Sequence, residues 1–66
     1  MTFRQYSRVK VITDRFGCEG VKNGDLGFVI EVYEDGDYEA EFSNVNGITT
    51  AQIVATEQDL ASAEER

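Results

Sequence analysis

An all-β fold is predicted by three features of this 66-residue chain. Proline is absent, so Gly, Asn and Asp supply the punctuation, at Gly17, Gly20, Asn23-Gly24, Asp35-Gly36 and Asn46-Gly47. The runs between them are short, alternate apolar with polar residues, and are rich in β-branched and aromatic side chains. Asp35-Gly36 and Asn46-Gly47 each separate two such runs, which is a hairpin signal.

The first strand is expected within Ser7–Thr13, with Val9 and Val11 on one face and Arg8 and Lys10 on the other; Ile12 breaks the alternation. Asp14–Gly24 reads as a loop of eleven residues. Asp25–Tyr33 is nearly continuously apolar, interrupted by Gly27 and Glu31, and suits a strand wanted on both faces. Tyr38–Phe42 alternates cleanly, with Tyr38, Ala40 and Phe42 inward and Glu39 and Glu41 outward. Ile48–Val54 is a fourth strand, with Ala51 and Ile53 inward.

A two-residue type I′ turn at Asp35-Gly36 would pair Tyr33 with Tyr38 and Val29 with Phe42 on one face. It would pair Val32 with Glu39 and Ile30 with Glu41 on the other, and would set Glu31 against Ala40 on the apolar side. A bulge or bend near Glu31, letting Leu26, Val29 and Val32 reach the core, would relieve that conflict. Gly24, Gly27, Gly36 and Gly47 read as backbone requirements. Leu60 is the last good anchor before a polar tail; alternatively Thr56 could cap a short helix with Glu57 and Asp59 near its positive end and Arg66 near its negative end, but about ten residues are marginal for a helix and a short turn followed by fraying is expected. Four strands, two hairpins and a terminal segment at Leu60 predict one domain over 1–66. It would be a small five-stranded SH3-like barrel, with a core at about 7–60, a long β1–β2 loop and a short polar tail at 61–66.

Composition bounds the chemistry. Apolar residues make up 41%, which is globular, and a chain this size buries about 60% of its surface. One Cys excludes an internal disulfide and, with no His, excludes a thiolate–imidazole zinc site and any Ser-His or Cys-His nucleophile pair. No cofactor and no catalytic residue are expected. No apolar run approaches the roughly 18 residues of a membrane span. The polar start has no apolar h-region, so a secretory signal is not expected and a cytoplasmic location is.

The formal charge is −7 and unevenly placed. Residues 1–24 carry five basic residues against Asp14 and Glu19, while residues 25–66 carry Arg66 against eleven acids. An acidic domain repels phosphate backbones, and a basic protein surface is its natural complement.

The stretch from Val21 to Phe42, with its Lys22-Asn23-Gly24-Asp25-Leu26-Gly27 start, Val29-Ile30-Glu31-Val32-Tyr33 run, acidic Gly36 turn and Tyr38-Glu39-Ala40-Glu41-Phe42 strand, resembles a family of small bacterial proteins known as domain of unknown function 4926. The likeness runs over roughly residues 8–60. It departs in lacking a loop proline around Phe16–Gly20, in having Thr56 where a proline is usual, and in a less apolar fourth strand at Thr49-Thr50-Ala51-Gln52. The resemblance implies an SH3-like barrel, and an antitoxin or immunity-type role beside a partner protein.

The candidate site is the acidic hairpin: Glu31, Glu34, Asp35, Asp37, Glu39 and Glu41, with Phe16 at the loop tip as either an exposed anchor or a core plug. Docking of a basic protein competes here with a merely solvated strand face. Phosphate mimicry is a narrower form of docking, and the turn lacks the ligand spacing of a calcium loop. Paired carboxylates also raise acid/base chemistry, but a barrel filled by its own side chains leaves little room for a pocket. Cys18 has Arg15 to favour a thiolate and Glu19 to oppose it, and reads as an ordinary loop residue. Phe3 and Tyr6 would cover one end of the core or form an aromatic surface. Three functions follow: an acidic protein-binding module, a nucleic-acid module of the KOW type requiring Arg4, Arg8, Lys10 and Arg15 in one patch, or a homo-oligomer.

Overall fold

The computed structural model describes residues 3–44 and 46–64. Five antiparallel strands follow one another: β1 (Arg8–Val11), β2 (Leu26–Val32), β3 (Tyr38–Ser43), β4 (Thr49–Ala55) and β5 (Leu60–Ser62). Short 3-10 turns lie at Gly17–Glu19 and Glu57–Asp59, and no α-helix occurs among the described residues. The sheet order is β4-β3-β2-β1-β5, so β4 and β5 are its two ends and its hydrogen-bond ladder is not closed. No described helix is long and apolar enough to cross a membrane.

The alternation read from the sequence holds on β1 and β3: Val9, Val11, Tyr38, Ala40 and Phe42 are all buried. Ile53 and Ala55 of β4 and Leu60 of β5 belong to the same apolar cluster, although their strands lie at opposite ends of the sheet. A flat sheet would hold those strands about 19 Å apart. The sheet therefore curls over its inner face, and the β1–β2 loop adds Phe16 and Val21 to the core. Phe3 covers one end, its ring edge-on to Tyr38 at 5.3 Å and its N–H donating to the Tyr38 hydroxyl. Tyr6 does not join it and is 71% exposed.

The β2–β3 hairpin differs from expectation in an instructive way. Its loop has three residues, Glu34-Asp35-Gly36, closed by Tyr33 N–H to Asp37 C=O and Gly36 N–H to Tyr33 C=O. Of these only Gly36 has positive φ, at 94°. This is a type I turn followed by a left-handed glycine, not a type I′ turn. Val32 therefore pairs with Tyr38, one residue out of the expected register. The bulge expected near Glu31 is present: the register shifts between Val29 and Glu31, so Val29 meets Ala40 and Glu31 meets Glu39. Turn and bulge together move the register two residues, which keeps Val29 inside and turns Glu31 outward. Leu26 and Val32 do not reach the core as expected; they are 48% and 37% exposed.

The β3–β4 hairpin repeats the device. Asn44 N–H bonds Ile48 C=O, Gly47 N–H bonds Asn44 C=O, and Gly47 has φ 80°. Its register shift lies between Phe42 and Ser43. Gly27 is needed for space instead of torsion: a Cβ there would fall 2.5 Å from the Glu41 carbonyl oxygen and 2.6 Å from the Phe42 ring.

Tyr6 takes a position that glycine normally fills. Its N–H bonds Val29 C=O while Val29 N–H bonds Ser7 C=O, so Tyr6 and Ser7 together oppose Val29. Tyr6 has φ 70°, the left-handed first residue of such a bulge. A bulky side chain there is strained by about 1–2 kcal/mol.

Candidate functional site: the acidic hairpin

The hairpin brings five of the sequence-predicted acids to its exposed side and turn. Glu34 and Asp35 sit exposed at the turn, where Asp35 Oδ1 accepts the Asp37 N–H at 3.1 Å. Glu31 and Glu39 are cross-strand neighbours, and Glu41 follows two residues along the same face, about 7 Å from Glu39. Asp37, Glu39 and Glu41 are half-buried, whereas Glu31, like the two turn acids, is exposed. Phe16 does not join them: it is 5% exposed and plugs the core, with the Arg15 guanidinium 4.3 Å above its ring.

Two carboxylates of this face, Glu39 and Glu41, are held by neutral donors. The Tyr33 hydroxyl donates to Glu39 at 2.5 Å. Glu41 Oε2 accepts from Thr49 Oγ1 at 3.0 Å and from Gln52 Nε2 at 3.5 Å. The bond to Glu39 pushes the Tyr33 phenol above its ordinary pKa, and the charges of Glu39, Glu31 and Asp35 add to that shift. The hydrogen bond is the main cause of the shift, desolvation of the phenol the next, and the neighbouring carboxylates add the least. No Lys or Arg occurs between residues 25 and 65, so the hairpin contains no cation of its own to neutralise these acids. Among the described residues, no three His, Cys, Asp or Glu side chains group closely enough to hold a metal ion.

Two features escaped the sequence. The first is an exposed apolar strip, Leu26 and Phe28 on β2, lying between Arg8 and Lys10 of β1 and Glu41 and Ser43 of β3. The near-continuous apolar run of β2 gave no sign of which members would face out. The second is the pairing of Arg15 with Asp59. Arg15 Nε donates to Oδ1 at 3.0 Å and Nη2 to Oδ2 at 2.7 Å. Thr56 adds its N–H and hydroxyl to Oδ2 at 2.8 and 3.1 Å. The Arg15 bonds, then those from Thr56, hold the Asp59 carboxyl below its ordinary pKa despite burial. The Thr56-x-x-Asp59 spacing signalled the turn. Nothing local pointed to Arg15, 44 positions away.

Neither the curated proteins nor the solved structures yielded a match to this chain. One family model does match, over residues 6–62, and it spans both hairpins, the β1–β2 loop and the Arg15–Asp59 pair. The chain belongs to the family described as domain of unknown function DUF4926.

Proposed function

We propose that this protein is a cytoplasmic, non-catalytic binding module whose acidic β2–β3 hairpin docks a basic surface on another protein. The curled five-stranded sheet is read as an SH3-like barrel serving as the rigid support. The observation that carries the reading is the hairpin's one-signed charge: Glu31, Glu34, Asp35, Asp37, Glu39 and Glu41 stand on an element with no basic residue, and Arg15, whose charge acts on Asp37, is already bonded to Asp59. Their hydrogen bonds fix carboxylate positions without cancelling charge. Such a surface steers a cationic partner and then covers it. An antitoxin or immunity-type role against a basic effector fits this mode of action.

The test is recovery of partner proteins from the native cell with wild type and with Glu39→Lys/Glu41→Lys at low salt. Loss of a basic partner in the variant supports the hairpin; equal recovery sinks it. The nucleic-acid reading, which calls on Arg4, Arg8, Lys10 and Arg15 together, is weaker, because Arg15 is tied to Asp59.

A further inference from the structure

The acidic hairpin leaves one part of the surface unexplained. β4 is an end strand of the sheet and is bonded along one side only, to β3. Tyr33 and Asp37 form a hydrogen-bonded pair, so alternation along β3 directs the backbone groups of Tyr38, Ala40 and Phe42 toward β4. Their partners Ala55, Ile53 and Ala51 face back. The N–H and C=O groups of Gln52 and Val54 therefore point away from the sheet. No loop backbone bonds to them among the described residues; the Gly17–Glu19 turn comes close to β4 without a backbone hydrogen bond.

Exposed edges usually carry Lys, Pro or a very short strand. The opposite edge conforms: β5 has three residues, and Ala63 N–H continues its pairing to Arg8 C=O. β4 has seven residues; the irregularity near Thr50 leaves Ala51–Ala55 regular, and the nearby Gly17–Glu19 turn leaves its outward backbone groups unbonded. Its composition is unusual for this chain. From Ser43 to Thr56 there is no charged residue at all, in a protein that is 29% charged. Val54 is 52% exposed on this strand, and Ile48 just before it is 62% exposed.

We infer that a second copy of this chain pairs with β4, antiparallel across a two-fold axis, extending the sheet through both molecules. Two chains of charge −7 repel wherever their acids meet. Along the β4 edge the strands that meet carry no charge, and the acids Glu39 and Glu41 lie one strand back in each copy. A two-fold at Ile53 sets Gln52 of one copy opposite Val54 of the other, so each outward N–H finds a carbonyl. The exposed Val54 side chain is then covered by its new neighbours. Antiparallel pairing of identical edges is self-complementary and closes at two copies, which fits a single free edge of this length.

Sedimentation equilibrium of the full chain from micromolar to millimolar concentration tests this. The mass is expected to double with concentration, and to do so more readily at higher salt, because screening weakens the net repulsion and the joint contains no ion pair. Gln52→Pro removes an N–H that points out of the sheet, a position where an edge strand tolerates proline. It is expected to stay folded, by circular dichroism, and monomeric. Should Gln52→Pro fail to fold, Val54→Glu decides, since it adds a like charge beside Glu39 in each copy at the joint while leaving the β3 ladder intact. A wild type that remains monomeric at millimolar concentration overturns the proposal, as does a folded variant that still dimerises. Amide exchange gives a residue-level readout: Gln52 and Val54 are expected to slow with concentration while Ile48 does not.

Discussion

Two regions of this small protein treat carboxylates in opposite ways. In the turn before β5, Asp59 is 6% exposed and receives donors from Arg15 and Thr56. On the β2–β3 hairpin, Glu31, Glu39 and Glu41 stand on the outer face with neutral donors or none, and like charges are set opposite one another at Glu31 and Glu39. The first acid belongs to the architecture, because the strand that follows it depends on the turn it organises. Among the others, the facing pair Glu31 and Glu39 is repulsive, and only the neutral donors to Glu39 and Glu41 offset it. A carboxylate's role is thus told less by residue type than by what donates to it.

The largest expected effect lies where the two regions join. Gly27→Ala forces a methyl group against the Glu41 carbonyl and the Phe42 ring, and is expected to destabilise by about 2 kcal/mol in urea melts. A loss below about 0.5 kcal/mol would mean that β2 can shift freely and that the two regions are not coupled through it.

Asp59→Ala comes next, at about 1–2 kcal/mol, from the lost turn contacts and the lost Arg15 bonds. The cost stays moderate because Arg15 is half-exposed and remains hydrated. Asp59 titrates below its ordinary value when folded. Its contribution is therefore present above the unfolded carboxylate pKa of about 3.9 and is lost as pH falls through the folded value. The gap between wild type and variant is expected to close in acid, and melts over a pH series check it.

On the hairpin the sign reverses. Glu31→Lys replaces a repulsive cross-strand pair with an attractive one and is expected to stabilise by about 0.5 kcal/mol. If both substitutions destabilise, the contrast between the regions fails. The smallest effect is spectroscopic. Tyr33 ionises above the usual tyrosine value of about 10, and Glu39→Gln is expected to lower it, by NMR titration of the phenol. Because the folded pKa is raised, the Tyr33–Glu39 bond contributes below the unfolded pKa and is lost as pH rises through the folded one.

Strand positions and most of the core were legible because burial on one face writes a two-residue period into β1 and β3. The acids at the hairpin were legible because charge needs no structure to be counted. What could not be read were choices depending on distant partners. The Asp35-Gly36 pair is compatible with a two- or a three-residue loop, and the decision rests on where Glu31 ends up. Leu26 looked like core from its apolar neighbours, yet β2 has its covered face filled by Val29 and its space at Gly27 taken by Phe42. Phe16 had two plausible environments, and only the folding back of the loop selects one. Tyr6 carried no glycine to announce its left-handed turn.

The bulge at Ile30 and Glu31 has an implication for how the chain finds its alignment. A bulge-free hairpin with a two-residue turn is an alternative threading of the same sequence; it re-pairs the strands, setting Tyr33 against Tyr38 and Val29 against Phe42, and submerges the ionised Glu31 against Ala40. Glu31 thus acts as a peg that blocks the wrong notch. Glu31→Lys keeps the peg, whereas Glu31→Val would pull it out and let the ribbon settle in two alignments at once.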